Sequence, residues 1–194
     1  MIRKFTLFCK LISIKTSSQS IFSSAMKTFI PGLEVCPHCG SKGNCVPFAY
    51  YDRHLVDFIH GHVCDTPIRV LRVQCSSCQH THAILPDVIV PYASYSLFFI
   101  LRVLSEYFMH RLSVEALCSK FAISHSLLYR WLELFYKNKA LWLGVLSDLE
   151  TLPFAFLLDL INLPLFSSFS KDFFLKAGAS FMQAHAHSPT LYQH

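Results

Sequence analysis

Acidic residues are scarce in this chain. None occurs before Glu34, and the 194 residues hold 12 Asp and Glu against 17 Lys and Arg, for a formal net charge of +5. Charged residues make up 15% and hydrophobic residues 53%, which excludes an intrinsically disordered chain, because disorder needs the reverse balance. The basic excess is mild and permits a polyanionic partner without requiring one.

An unbroken apolar run is also missing. Lys10 and Lys15 interrupt Phe5 to Ile14, the one candidate for a signal-peptide core. Leu152 to Phe169 is broken by Pro153, Asp159, Asn162 and Pro164, whereas a bilayer span needs about 20 apolar residues. No transmembrane helix is expected, and this stretch reads as a core or partner-facing helix. The acid-free start carries Arg3, Lys4, Lys10, Lys15 and Lys27 with a Ser-rich stretch from Ser17 to Ser24. That composition fits an organelle transit peptide or a disordered basic extension ahead of a start at Met26, and the extension is the expectation.

Composition divides the chain into four zones. Residues 1–33 form the basic extension. Residues 34–91, rich in Cys, His, Val and Pro, contain short strand-like runs at Cys45 to Tyr51, Ile68 to Val73 and Thr81 to Leu85. From residue 92 to 147 the period becomes helical: Leu97, Ile100, Leu101, Leu104 and Phe108 predict a helix of about four turns ending near Arg111. Residues 148–194 read as a helical segment without a legible role. The expected fold class is α+β, a small β zinc ribbon followed by an all-α helix-turn-helix bundle.

Cysteine is plentiful. Four of the eight form two C-x-x-C pairs, Cys36-Pro37-His38-Cys39-Gly40 and Cys75-Ser76-Ser77-Cys78, while Cys9, Cys45, Cys64 and Cys118 show no such spacing. Two intervening residues let both sulfurs reach one ion from a tight turn, and two such knuckles complete a tetrahedron of thiolates around Zn2+. Pro37 pre-sets φ, and Gly40 supplies the positive φ that curls the chain toward the sulfurs. Four thiolates leave no open position for water, so such a site is structural. The 35 residues between Cys39 and Cys75 exceed the usual gap of about 15–20, so a hairpin or small sheet must fill it. His80 or His82 offers an alternative to one thiolate, and Cys45, His60, His62 and Cys64 are candidates for a second metal.

Ser113 to Leu132 carries the other signal. Ser113 can cap a short helix, Leu117 and Phe121 share its inner face, and Cys118 provides the small side chain where two helices cross. Ala122-Ile123-Ser124 then reads as a turn and N-cap, with Leu128, Trp131 and Leu132 facing inward. Ser124, His125, Ser126, Tyr129 and Arg130 fall on the outer face at the start of the second helix, the end that enters the major groove in a helix-turn-helix. Hydroxyls and amides there hold phosphates, and Arg130 and His125 reach guanine edges or backbone oxygens. Ala122 stands where glycine is usual. An αα-hairpin in a helical core is the plainer alternative.

Cys36-Pro-His-Cys-Gly, Arg72-Val-Gln-Cys75-x-x-Cys78, Thr81-His82-Ala-Ile-Leu-Pro86 and Ser126-Leu-Leu-Tyr-Arg-Trp131, in that order, resemble an uncharacterised bacterial transposase-like family over about residues 34–147. The resemblance implies that Cys36, Cys39, Cys75 and Cys78 ligate zinc, that the second short helix recognises double-stranded DNA, and that the protein works in a bacterial cytoplasm. Residues 1–33 have no counterpart in that pattern, which favours an extended start over a transit peptide.

Transposases cleave with three carboxylates and two metals on an RNase-H-like sheet. After the helix pair the acids are Asp148, Glu150, Asp159 and Asp172, too few and too close to the end to build such a sheet, and no H-E-x-x-H pattern occurs. The expectation is therefore a DNA-binding protein rather than an enzyme, with a homodimer left open. A zinc-ribbon module that binds a protein partner is the alternative.

Overall fold

A two-residue turn sets the architecture. His60 and Gly61 both adopt positive φ, 51° and 85°, the pair of values a type I′ hairpin requires. The turn joins β2 (Cys45–Ile59) to β3 (His62–Cys75), which run antiparallel from the Ile59–His62 pair at the tip to the Cys45–Cys75 pair at the open end. At ~3.3 Å per residue this hairpin is about 45 Å long. It is far longer than the strand-like runs in the sequence.

The computed structural model describes residues 2–4, 17–146, 153–162 and 166–184. Ahead of the hairpin stand β1 (Ile2–Lys4), helix α1 (Ser18–Thr28) and a 3-10 turn at Pro31–Leu33. After it come β4 (Thr81–Pro86) and helices α2 (Leu97–Phe108), α3 (Val114–Phe121), α4 (His125–Lys137), α5 (Lys139–Leu146), α6 (Pro153–Asn162) and α7 (Phe166–Ala177). Strands β2, β3 and β4 form a three-stranded antiparallel sheet, and β1 adds to β4 in parallel. The fold is thus mixed α and β. Helix α2 is three turns rather than four, closing at Phe108 before His110 turns to φ 53°.

Both faces of the sheet are used. The pairs Cys45–Cys75 and Val73–His82 put those four side chains on one face with Ile84. Leu55, Ile68, Val70 and Leu85 pack on the other, where α1 lays down Ile21 and Phe22. Phe29, just past α1, joins the cysteine-bearing face. From residue 17 onward this differs from the expected disordered extension: Ser17 caps a packed helix, and the two apolar side chains it buries are each worth about 2 kcal/mol. The expected disorder of residue 1 and residues 5–16 lies outside the described residues.

The expected division near residue 91 is likewise not where packing changes. Phe58 from the hairpin shares one core cluster with α2, α3 and α4, its ring 4.7 Å from that of Phe121. Asp57 binds the layers together. Buried in β2, its carboxylate accepts from the backbone N–H of Ser18 at 2.8 Å, at the start of α1, and from the Ser96 hydroxyl at 3.1 Å, the N-cap of α2. One negative charge thereby faces the N-terminal ends of two helices, where the backbone dipoles favour it. Further on, the apolar stretch read as a core helix supplies Phe156 and Leu157 on α6 and Phe169 on α7. Phe156 stacks on Trp142 at 4.2 Å and 9°.

Replacing Asp57 by Ala takes this acceptor from three buried donors, the Ser18 and Phe58 N–H groups and the Ser96 hydroxyl, and is expected to cost about 3 kcal/mol of stability. Urea denaturation followed by far-ultraviolet circular dichroism measures it. A loss under about 1 kcal/mol would show that the joint is not needed.

Candidate functional site

The two C-x-x-C segments fold into the same backbone shape. In the first, Gly40 N–H donates to the Cys36 carbonyl at 2.9 Å and Cys36 N–H to the Ser41 carbonyl at 2.9 Å. In the second, Gln79 N–H donates to the Cys75 carbonyl at 2.8 Å and Cys75 N–H to the His80 carbonyl at 3.0 Å. Gly40 has φ 72° and Gln79 φ 61°, so Gln79 does for the second knuckle what glycine does for the first. Its side chain ties down the strained position by donating to the Ser76 carbonyl at 2.8 Å. The hairpin removes the difficulty of the long gap. Cys45 and Cys75 pair at its open end, and Asn44 binds Ser76 and Ser77 across the junction, so the chain returns to its starting point.

The four sulfurs of Cys36, Cys39, Cys75 and Cys78 all lie within 4.8 Å of one another. Cys36–Cys78 and Cys39–Cys75 are each 3.7 Å apart, and all four are free thiols. Thiolates about 2.3 Å from a tetrahedral ion stand about 3.8 Å apart, so the donor set fits a metal ion. Ionisation is unequal across the cluster. The Ser41 hydroxyl, 3.3 Å from Cys75 Sγ, leads a set of donors that pull Cys75 down to about 5, and the same hydroxyl lowers Cys39. At Cys78 a backbone donor from His80 also pulls downward, but burial and the three neighbouring sulfurs outweigh it and push the thiol up to about 12. Four sulfurs this close cannot all carry charge unless a cation sits among them.

The neighbouring histidines hold separate places. His82, 6% exposed on β4, puts Nε2 3.3 Å from Cys36 Sγ, and burial leads the causes that push its imidazole down to about 4. His38 and His80 stack at 3.5 Å and 16°, within ligand distance of Cys78. Parallel rings point their nitrogen lone pairs side by side rather than at one point, so this trio suits a cover over Cys78 better than an ion. The second site entertained for Cys45, His60, His62 and Cys64 is corrected by the hairpin. Cys45 is at its open end and the other three at its tip, too far apart to meet. Cys45 is 2% exposed beside Cys75, and burial pushes its thiol up.

At the other end of the molecule, α3 and α4 meet in a tight turn. Ser113 and Ser124 each cap a helix, their hydroxyls accepting from Ala116 N–H and Leu127 N–H at 3.2 Å. Helix α3 ends with Ala122 left-handed at φ 49° and ψ 45°, Ala122 N–H donating to the Ser119 carbonyl and Ile123 N–H to the Cys118 carbonyl at 3.0 Å. This is the Schellman closure, with Ile123 packed back into the core. Leu117, Cys118, Phe121, Leu128, Trp131 and Leu132 are all buried, whereas Ser124, His125, Ser126, Tyr129 and Arg130 are all exposed. The exposed set therefore forms one outward face beginning at the first turn of α4.

Residues 36–131 match the family model of DUF6431, a domain of unknown function. The DUF6431 match opens on the first clustered cysteine and closes on Trp131, so it takes in both knuckles, the hairpin, α2, α3 and the first half of α4. Its description names neither a metal nor a nucleic acid. No curated protein and no solved structure matches the chain.

Ala122 holds a backbone conformation that costs an L-residue about 1 kcal/mol and costs glycine nothing comparable. Ala122→Gly should accordingly raise stability by about 1 kcal/mol, read as a higher urea midpoint with unchanged slope. A lower midpoint would mean that the turn is not strained.

Proposed function

We propose that the chain is a DNA-binding protein related to the DNA-binding halves of insertion-sequence transposases, in which a structural Zn2+ on Cys36, Cys39, Cys75 and Cys78 fixes the sheet and the α3–α4 pair works as a helix-turn-helix. The single observation that carries the DNA reading is the outward face of Ser124, His125, Ser126, Tyr129 and Arg130 at the capped start of α4, over a helix whose other side is fully packed. In that role the free N–H groups of the first turn and the serine hydroxyls hold phosphates, and Arg130 and His125 reach base edges or backbone oxygens. Zinc suits a closed set of four thiolates better than the harder divalent ions, which prefer oxygen. The reading assigns binding and no catalytic step. It takes the bacterial cytoplasm from the resemblance alone; among the described residues no helix is long and apolar enough to cross a membrane. A homodimer would present two such helices to one duplex.

A second reading, a protein-interaction module, draws support from a different observation. Ile30, Leu33 and Val35, around the 3-10 turn, and Val46, Phe48 and Tyr50, on β2 at the edge of the sheet, are all exposed, Leu33 to 75%. Large apolar side chains left exposed along a sheet edge are candidates for contact with a partner.

Two measurements test the main reading. Duplex DNA should be retarded by the purified chain with strong salt dependence, affinity falling about a hundredfold between ~50 and ~200 mM salt for about four phosphate contacts. Arg130→Ala with His125→Ala should weaken it a further tenfold or more, at about 1–3 kcal/mol per contact. Flat salt dependence, or a double variant that binds as before, would shift the reading to the interaction module. Elemental analysis should find about one zinc per chain, and Cys36→Ser should abolish it and lower the urea midpoint of the sheet. A parent chain that holds no zinc would remove the metal from the account.

A further inference from the structure

The four-cysteine cluster is not symmetric in its surroundings. Cys36 and Cys75 are 1% and 0% exposed, while Cys39 is exposed and Cys78 half-covered. Cys39 and Cys75 share the Ser41 hydroxyl at 3.2 and 3.3 Å. Cys36 is served by the His38 N–H of its own knuckle at 3.4 Å and, from inside the protein, by the imidazole of His82 at 3.3 Å.

We infer that His82 is a positioning residue for the metal centre, donating its Nε2–H to the Cys36 thiolate rather than ligating the ion itself. The inference rests on the metal reading above. Strand β4 fixes the imidazole, because His82 pairs with Val73 and therefore shares a face with Cys75, two residues further along β3. A ligating cysteine is a thiolate and can only accept, so the nitrogen facing it must carry the proton. His82 is also outside the set of ligand atoms that lie within 4.8 Å of one another, which keeps it in the layer behind the sulfurs. Four thiolates around one dication leave two negative charges to be spread. A buried N–H aimed at one sulfur draws charge from it, holds its orientation and lowers its reactivity. Cys39 is open to solvent and has no buried imidazole beside it among the described residues, so attack by an electrophile starts there rather than at Cys36.

The test uses the full chain loaded with Co2+ and with Zn2+. His82→Leu and His82→Phe remove the donor while keeping an apolar filler, one smaller and one larger, so that at least one retains the circular dichroism of the parent. His82→Gln returns an N–H near the same place. The expected result is about 10- to 100-fold weaker metal affinity in the folded donor-less variant. Its thiolate-to-cobalt charge-transfer band should shift, Cys36 should be alkylated faster by iodoacetamide with mapping by mass spectrometry, and His82→Gln should recover most of all three. An unchanged band and affinity would overturn the role. So would an affinity loss with no band shift and no recovery in His82→Gln, which marks mere packing. A parent spectrum of three sulfurs and one nitrogen would make His82 a ligand and also overturn it. If the parent binds no ion, the metal reading itself fails, a result distinct from the others.

Discussion

Everything else in the molecule depends on the pairing of Cys45 with Cys75 at the open end of the β2–β3 hairpin. The two cysteine pairs are far apart in sequence, and a loop of that length would ordinarily be costly to close around one ion. Strand pairing closes it first. Once the hairpin is zipped, the residues before β2 and after β3 emerge side by side, and each needs only a local turn to bring its sulfurs in. The knuckles are also held by main-chain bonds, the repeated Cys36–Ser41 and Cys75–His80 pairs.

The same strands make the cysteine-bearing end and the helical end one body. Asp57 and Phe58 are consecutive on β2; one binds the starts of α1 and α2, and the other packs on Phe121 at the end of α3. Helix α4 is thus seated on α2, α3 and the hairpin rather than on a linker. A reading in separate zones captures the composition of each part and misses this joint. The joint is a single carboxylate whose partners lie 39 residues away on either side.

What was legible in the sequence was local. Both C-x-x-C pairs could be read because two residues of spacing already constrain the sulfurs. The inward and outward sides of α3 and α4 could be read because Leu117, Phe121, Leu128 and Trp131 follow the helical period. Strand length could not. Asp52, His54 and Asp65 put polar groups on solvent-facing positions of the hairpin, so the apolar pattern faded long before the pairing did. Helix α1 hid for a related reason, since its serines suggest disorder while its anchor is remote. Gln79 gave no sign at all: nothing about glutamine announces a left-handed backbone, and only the bond pattern it shares with Gly40 reveals it.

The position of the turn at His60 and Gly61 has a consequence for how the chain comes together. Pairing that begins at this tight turn must travel the whole length of both strands before the last pair, Cys45 with Cys75, is made. Non-local contacts of this kind form late and slowly compared with helices. The four sulfurs therefore become a single chelating set only when the zipper is complete, and an ion captured by all of them acts as a latch on a finished sheet rather than as the seed around which it grows.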